Sequence, residues 1–332
     1  MAGRFRYVTP VRARDATGRT ARVYAQVADD FGMARMPVFR TLSPAPDVLA
    51  ATWAVLRESL LAGDAPRSAK EVVALGVSMA NRCPFCVDAH TTLLHATGDH
   101  RLAEVVAGGG TPDDPFHAAL LAWARDGGPA PDPAAEYLGT ALAFHFINRM
   151  VSALLTEDLL PAGLQRSRLV RSAGGRALAG AVRREPPAGA SLPLVEGLPA
   201  RSEPAWAAGT PLGAAYAVLR AVTEAGGELL SAAARAAVLD TVSGWDGTHP
   251  PTNRAWLNGP LAPLDAEDRA GTRLALLVAL APYRVTDADV VAWRGARPDE
   301  DVVRLFAFAA ITATTALEPR LAATMPYLGG RS

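Results

Sequence analysis

The stretch from Glu71 to His90 brings together the residue types needed for thiol chemistry. It holds both cysteines of the chain, Cys83 and Cys86, with His90 four residues after the second and Glu71 twelve residues before the first. Spacings of three and four put side chains on one face of a helix. A cysteine in the first turn of a helix has its thiolate favoured by the partial positive charge of that terminus. An imidazole one turn later can take the thiol's proton, and a carboxylate on a neighbouring helix can orient or recharge the imidazole. Position alone leaves the attacking sulfur open, because an N-cap Cys83 feels the same terminus as Cys86.

The elements that would hold these groups are two consecutive helices. Good helix formers over Ser68–Ala80, with apolar Val72, Val73, Leu75 and Met79, predict the first, and Asn81 is the expected left-handed stop. Pro84 suits the first position of the second helix, where a missing N–H costs nothing, and this makes Cys83 its N-cap. The second helix is expected to run to about Ala96, with Gly98 just past its end. If the two pack antiparallel, Glu71 meets His90.

The pattern resembles that of the AhpD-like alkylhydroperoxidases of the carboxymuconolactone decarboxylase family. Their motif is a Glu, an eleven-residue gap, Cys-x-x-Cys, a three-residue gap and a His, matched here by Glu71, Cys83, Cys86 and His90. The flanking "CPFCVDAHTTLLHATGD" is similar to the family signature as well. Phe85 departs from members that carry a histidine between the cysteines. The resemblance implies a thiol peroxidase or disulfide reductase: Cys86 attacks a hydroperoxide, Cys83 resolves the sulfenic acid to a disulfide, and His90 and Glu71 relay the proton. It also implies an outside dithiol as reductant, either a lipoyl group or a thioredoxin-like protein, and a homo-oligomer. No metal, haem, flavin or nucleotide cofactor is called for, and no Gly-rich phosphate loop is visible.

Composition sets the frame. The chain has 332 residues, half of them hydrophobic, which is ample for a sizeable core in one large or two ordinary domains. Its formal net charge is zero, so nothing global points to nucleic acid or a membrane. Lys70 is the only lysine. One close cysteine pair excludes a secreted disulfide framework. The polar start "MAGRFRYVTPVRARD" lacks a signal-peptide core, and the apolar runs Leu274–Ala281 and Leu305–Leu317 are too short or too Thr-rich to span a bilayer. A cytoplasmic protein is expected.

Along the chain, residues 1–16 read as an extended arm and 18–33 as a helix with Val23, Tyr24, Val27 and Phe31 on one side. Ser43 or Asp47 is placed to cap a helix whose stripe is Leu49, Trp53, Leu56 and Leu60. Asp99–Ala107, Asp113–Ala124 and a long Asp132–Leu155 helix follow. No period-two strand is visible, so the fold class is all-α. Residues 1–160 form the catalytic unit. Residues 161–205 read as a connector. Its first part carries Arg166, Arg168, Arg171, Arg176, Arg183 and Arg184 with no acidic residue from Leu159 to Arg184, and is expected to be a solvated helix or to dock on a neighbouring subunit. A nucleic-acid role is disfavoured by the lack of interleaved aromatics.

Residues 206–332 echo the first part at a period of about 160 residues, which suggests an internal duplication. "AAYAVLRAVTEAGG" parallels "AATWAVLRESLLAGD", and "AARAAVLDTVSGW" parallels "SAKEVVALGVSMA". Ala236 stands where Glu71 would be, no cysteine follows Trp245, and His249 is followed by two prolines. The second unit is expected to have kept packing and lost chemistry, standing in for a neighbouring subunit.

Other readings of the same residues differ in class. An acid–base lactone decarboxylase would use Glu71 and His90 and leave the cysteines incidental. A redox- or zinc-responsive binding protein would use Cys83, Cys86 and His90 as ligands, with Glu71, His95 or His100 as the fourth. His95, His100, His117 and His145 read as structural, Asp88 as a solvated first-turn acid, and Asn148-Arg149 as a core–surface boundary.

Overall fold

Proline at the start and glycine at the end punctuate this chain. Pro37, Pro46, Pro84, Pro115 and Pro211 each occupy the first helical position, where the ring's fixed φ suits the helix. Gly32, Gly98 and Gly127 close three helices in the left-handed conformation. The computed structural model describes residues 4–33, 36–127, 134–158 and 160–323.

In chain order the helices are α1 (Gly18–Phe31), α2 (Pro37–Thr41), α3 (Pro46–Leu56), α4 (Arg67–Ala80), α5 (Pro84–Thr97), α6 (His100–Ala107), α7 (Pro115–Asp126), α8 (Ala134–Leu154), α9 (Arg168–Val182), α10 (Pro211–Glu224), α11 (Ala232–Ser243), α12 (Asn258–Leu261), α13 (Ala266–Leu280), α14 (Asp287–Arg294) and α15 (Asp299–Ala323). A π-helical turn, Arg57–Leu61, follows α3. Among the described residues the only β pairing is a bridge between Phe5 of the arm and Leu155. The protein is all-α.

The apolar stripe expected on α3 is buried: Leu49, Trp53, Leu56 and Leu60 all lie in the core. Trp53 meets Phe39 edge-on at 5.0 Å and donates its indole N–H to Gln26 at 2.6 Å, so its polar end is satisfied. Neither expected residue caps α3. The Ser43 hydroxyl accepts from the Val11 N–H, and Asp47 sits inside the first turn.

Around the site, α4 packs on α5, α7 and α8, and α5 is enclosed by α4, α6, α8 and α9. From the second part, α10 packs on α3 and α15 on α8, while α11, α13 and α15 pack on one another. The apolar run Leu305–Leu317 is part of a longer helix, and by length and composition α15 could cross a bilayer, but most of its apolar window is buried against protein. Lys70 is also buried. Its ammonium meets Glu136 of α8 and the Ala62 carbonyl, both at 2.5 Å, although burial lowers its pKa.

The segment read as a connector is neither a free linker nor solvated throughout. Helix α9 lies along α5 of the same chain, where Gly175 allows the approach: a Cβ there would fall 2.7 Å from the His95 Cβ. The Pro/Gly-rich part is pinned by the π-helical turn. The Arg57 guanidinium donates to the Pro187 carbonyl, and Glu58 accepts from the Gly189 N–H and the Ser191 hydroxyl. Buried charges demand such partners, and a pattern of prolines and glycines does not reveal that another segment supplies them.

Candidate active site

The turn between α4 and α5 is held from the second part of the chain. Asn81 is not its left-handed residue: it is right-handed (φ −82°, ψ 0°), and Arg82 takes the left-handed conformation (φ 54°). That conformation costs a non-glycine residue about 1–2 kcal/mol, so the surroundings must impose it. His249 Nε2 donates to the Ala80 carbonyl at 2.7 Å, and the Tyr283 hydroxyl donates to His249 Nδ1 at 3.2 Å. The Arg82 guanidinium lies over the Tyr283 ring. The Cys83 N–H donates to the Ser78 carbonyl and its own carbonyl accepts from Val87, which fixes Cys83 as the N-cap of α5.

Glu71 and His90 meet across the antiparallel pair α4 and α5. Glu71 Oε2 lies 2.6 Å from His90 Nδ1, and its other oxygen accepts from Arg67 Nε at 2.7 Å. Glu71 is wholly buried. Burial alone would raise its pKa, but the positive charge of Arg67 and the His90 imidazole outweigh it and hold the carboxyl below its usual range. Glu71 is therefore an anion that fixes the proton on Nδ1 and leaves Nε2 as the nitrogen free to exchange one. The Phe144 ring meets the imidazole edge-on at 4.4 Å and limits its rotation.

Cys83, Cys86 and His90 do not share one face, contrary to what their spacing suggests. Cys86 and His90 line a cavity of about 660 Å³ bounded by apolar side chains such as Phe39, Leu60, Phe85, Phe144 and Ile147. Cys83 instead lines a smaller cavity of about 230 Å³ with Arg6, Arg82, Ser152, Glu157 and Tyr283. As the N-cap, Cys83 has φ −104° and ψ 89°, outside helical geometry, so helical spacing does not govern its direction. The sulfurs remain electrostatic neighbours, each shifting the other's pKa, that of Cys83 downward and that of Cys86 upward.

Both thiols are free and buried. Burial would raise Cys83, but the neighbouring Cys86 thiol and backbone N–H bring it below the ordinary thiol value. Burial, with the adjacent Cys83, pushes Cys86 well above it. Acidity and access therefore point to different sulfurs: the shifts favour Cys83 as the first to ionise, while Cys86 shares the large cavity with the His90 imidazole.

The other histidines have structural partners. His95 is buried and bonded to Glu104 (2.7 Å) and His100 (3.0 Å); Arg171 of α9 also pairs with Glu104, at 2.7 Å. His117 pairs with Asp114, and buried His145 meets Asn81. Asp88 is not solvated but buried, because α5 has neighbours on every side. Asn148 and Arg149 mark no boundary either. Both are buried, with Arg149 Nε donating to the Ala279 carbonyl at the end of α13. Among the described residues no group of three or more His, Cys, Asp or Glu is arranged to hold a metal ion. Sequence patterns do not point to Phe144, Ser152, His249 or Tyr283 as site residues. Arg67, also absent from the expected set, does leave a signal: it lies four residues before Glu71 on one helix face.

Residues 46–126, from the start of α3 to the end of α7, match the model of the carboxymuconolactone decarboxylase family. Over 319 residues the chain is 42% identical to a Mycobacterium tuberculosis (strain ATCC 25618 / H37Rv) protein named alkyl hydroperoxide reductase Rv2159c, covering 92% of each. No solved structure matches significantly.

Proposed function

Because the chain belongs to the carboxymuconolactone decarboxylase family, we propose that it is a thiol-dependent alkyl hydroperoxidase working through Cys86, Cys83, His90 and Glu71. One observation carries the reading: Cys86 and an imidazole anchored to a buried carboxylate open onto the same large apolar cavity. The similarity to a protein named alkyl hydroperoxide reductase over nearly the whole chain supports it. An acid–base lactone decarboxylase would use the same Glu71–His90 pair, and Arg4, Gln165 and Arg171 border the cavity, but it would leave the Cys83–Cys86 pair incidental.

In this reading a hydroperoxide enters the apolar cavity. His90 Nε2 takes the Cys86 proton, and Glu71 stabilises the imidazolium that forms. The Cys86 thiolate attacks the terminal peroxide oxygen and the O–O bond breaks. The alkoxide leaves with the proton held by His90, as an alcohol, and Cys86 becomes a sulfenic acid. The Cys83 thiolate then attacks the Cys86 sulfur and expels hydroxide, which is protonated to water, so that a Cys83–Cys86 disulfide forms. An external dithiol, carried by a lipoyl group or a thioredoxin-like protein, returns two electrons and two protons. The smaller cavity gives it a separate approach to Cys83.

Residues 1–160 form the catalytic unit in this reading, and 206–332 a degenerate copy that retained packing. The pairing of α3 with α10 and α8 with α15, together with the His249–Tyr283 brace on the active-site turn, supports that organisation. A cytoplasmic homo-oligomer is the setting we assign.

A single-turnover measurement tests the function. Reduced protein freed of reductant is mixed with a small excess of an organic hydroperoxide, and thiols and peroxide are counted over time. Loss of two thiols for one peroxide consumed is expected. Thiols that stay reduced while peroxide persists would overturn the reading.

A further inference from the structure

A net charge of zero conceals one strongly one-sided segment. From residue 159 to residue 184 the chain has arginines and no acidic residue. The structure makes this segment the outer wall of the large cavity. Val170, Ala173, Gly174, Ala177 and Leu178 of α9 line it, as does Leu160, which precedes the short 3-10 turn Pro161–Arg166 ahead of α9. Ala173 and Ala177 are exposed to solvent while lining the cavity, so the cavity opens on this face.

The same face carries large apolar side chains in water. Leu169 is 81% exposed and Leu164 is 55% exposed, and only two other large apolar residues among those described are comparably exposed. Arg168 adjoins Leu169 in the chain and Arg176 lies two turns further along α9, both exposed, whereas Arg184, past the end of the helix, donates to the Asp29 carbonyl. One face of α9 is used up by docking, through Gly175 against His95 of α5 and Arg171 against Glu104 of α6. The outer face therefore combines cations, exposed leucines and the mouth of an apolar cavity that leads to Cys86.

From this combination we infer that the segment 160–184 is a docking face for an anionic lipid surface, through which hydroperoxides of membrane lipids enter the cavity. The binding half of this stands on charge and exposed apolar area. The entry half rests on the peroxidase reading above. A basic surface with apolar side chains settles at the boundary of an anionic bilayer, its leucines in the acyl region and its arginines at the headgroups. Each arginine near such a surface raises partitioning roughly fivefold. Nucleic acid would leave the leucines and the apolar mouth without a role, and the segment has no aromatic side chain on which a base could stack. A lipid tail fits a cavity of about 660 Å³ lined by phenylalanine, leucine and methionine; a water-soluble peroxide has no need of one.

The test uses the full chain with vesicles of phosphatidylcholine, alone or with about one-third phosphatidylglycerol. Sedimentation should show salt-sensitive binding to the anionic vesicles only. The double variant Arg168→Glu, Leu169→Asp changes exposed side chains, so its helical circular dichroism should match the parent. It should partition at least about tenfold less, reduce a phospholipid hydroperoxide in those vesicles correspondingly more slowly, and turn over tert-butyl hydroperoxide at the parental rate. No binding to anionic vesicles at low salt, or equal partitioning of parent and variant, overturns the inference. A lower oligomeric state of the variant by light scattering would assign the face to a second copy of the chain and overturn it too. Absence of peroxidase activity in both proteins would sink the peroxidase reading while the vesicle result still decides the docking.

Discussion

Glu71 and His90, on successive antiparallel helices, meet at 2.6 Å with the carboxylate wholly buried. Arg67 completes the set from one turn earlier on the same helix as Glu71. A buried anion between a guanidinium and an imidazole is stable only as a unit, because removing one member leaves the others desolvated and unpaired. His90 is thereby held in one tautomer with one nitrogen available.

Replacing Glu71 with Gln should cut the peroxide reaction by about a hundredfold or more and destabilise the fold by about 1–3 kcal/mol, since Arg67 loses its anionic partner. The pH dependence gives the sign. The folded-state pKa of Glu71 is depressed, so its stabilisation is present above the unfolded value of about 4.3 and lost as pH falls through the folded one. The gap in melting temperature between parent and variant should be full above about pH 5 and shrink below about pH 4. A gap independent of pH would show that Glu71 carries no charge.

The two cysteines should fail differently. Cys86→Ser should leave peroxide unconsumed in a single turnover. Cys83→Ser should consume one equivalent and stop as a sulfenic acid that a dimedone probe captures. The reverse pattern would make Cys83 the attacking sulfur, the assignment its acidity favours.

Thiolate absorbance in the reduced protein should rise in two separated steps. One step falls below the usual thiol value of about 8.5 and belongs to Cys83; the other lies well above it and belongs to Cys86. Cys83→Ser should abolish the lower step. A single step near the usual value would mean that the two thiols do not share a proton.

Gly175→Ala should loosen α9 from α5, because the added Cβ meets the His95 Cβ at 2.7 Å and backbone of α5 at 3.1 Å. Overpacking of this kind costs about 1–3 kcal/mol. Hydrogen exchange should show faster opening of 168–182 with α8 unaffected. Unchanged protection of α9 would contradict the close approach.

A chain ending at residue 205 lacks α10 and α15, and so exposes the apolar faces of α3 and α8. It should aggregate or self-associate when expressed alone, and adding the 206–332 fragment should restore a soluble complex. A stable, active monomer of 1–205 would show that the second part is dispensable for folding.

The all-α class, the helix bounds near the site and the Glu71, Cys83, Cys86 and His90 set are legible in the amino-acid sequence by itself. Each is a local matter: proline and glycine set helix ends, and spacing sets helix faces. Even the antiparallel meeting of Glu71 with His90 follows from two helices joined by a tight turn. What no local pattern contains is everything brought in from far along the chain. His249 and Tyr283 brace a left-handed Arg82, Gly175 lets an arginine-rich segment close over α5, and Arg57 and Glu58 pin residues 187–191. The separation of the two thiols onto different cavities is of the same kind. It depends on the non-helical backbone of Cys83 and on which distant side chains pack beside each sulfur, and those are settled only when the whole core closes.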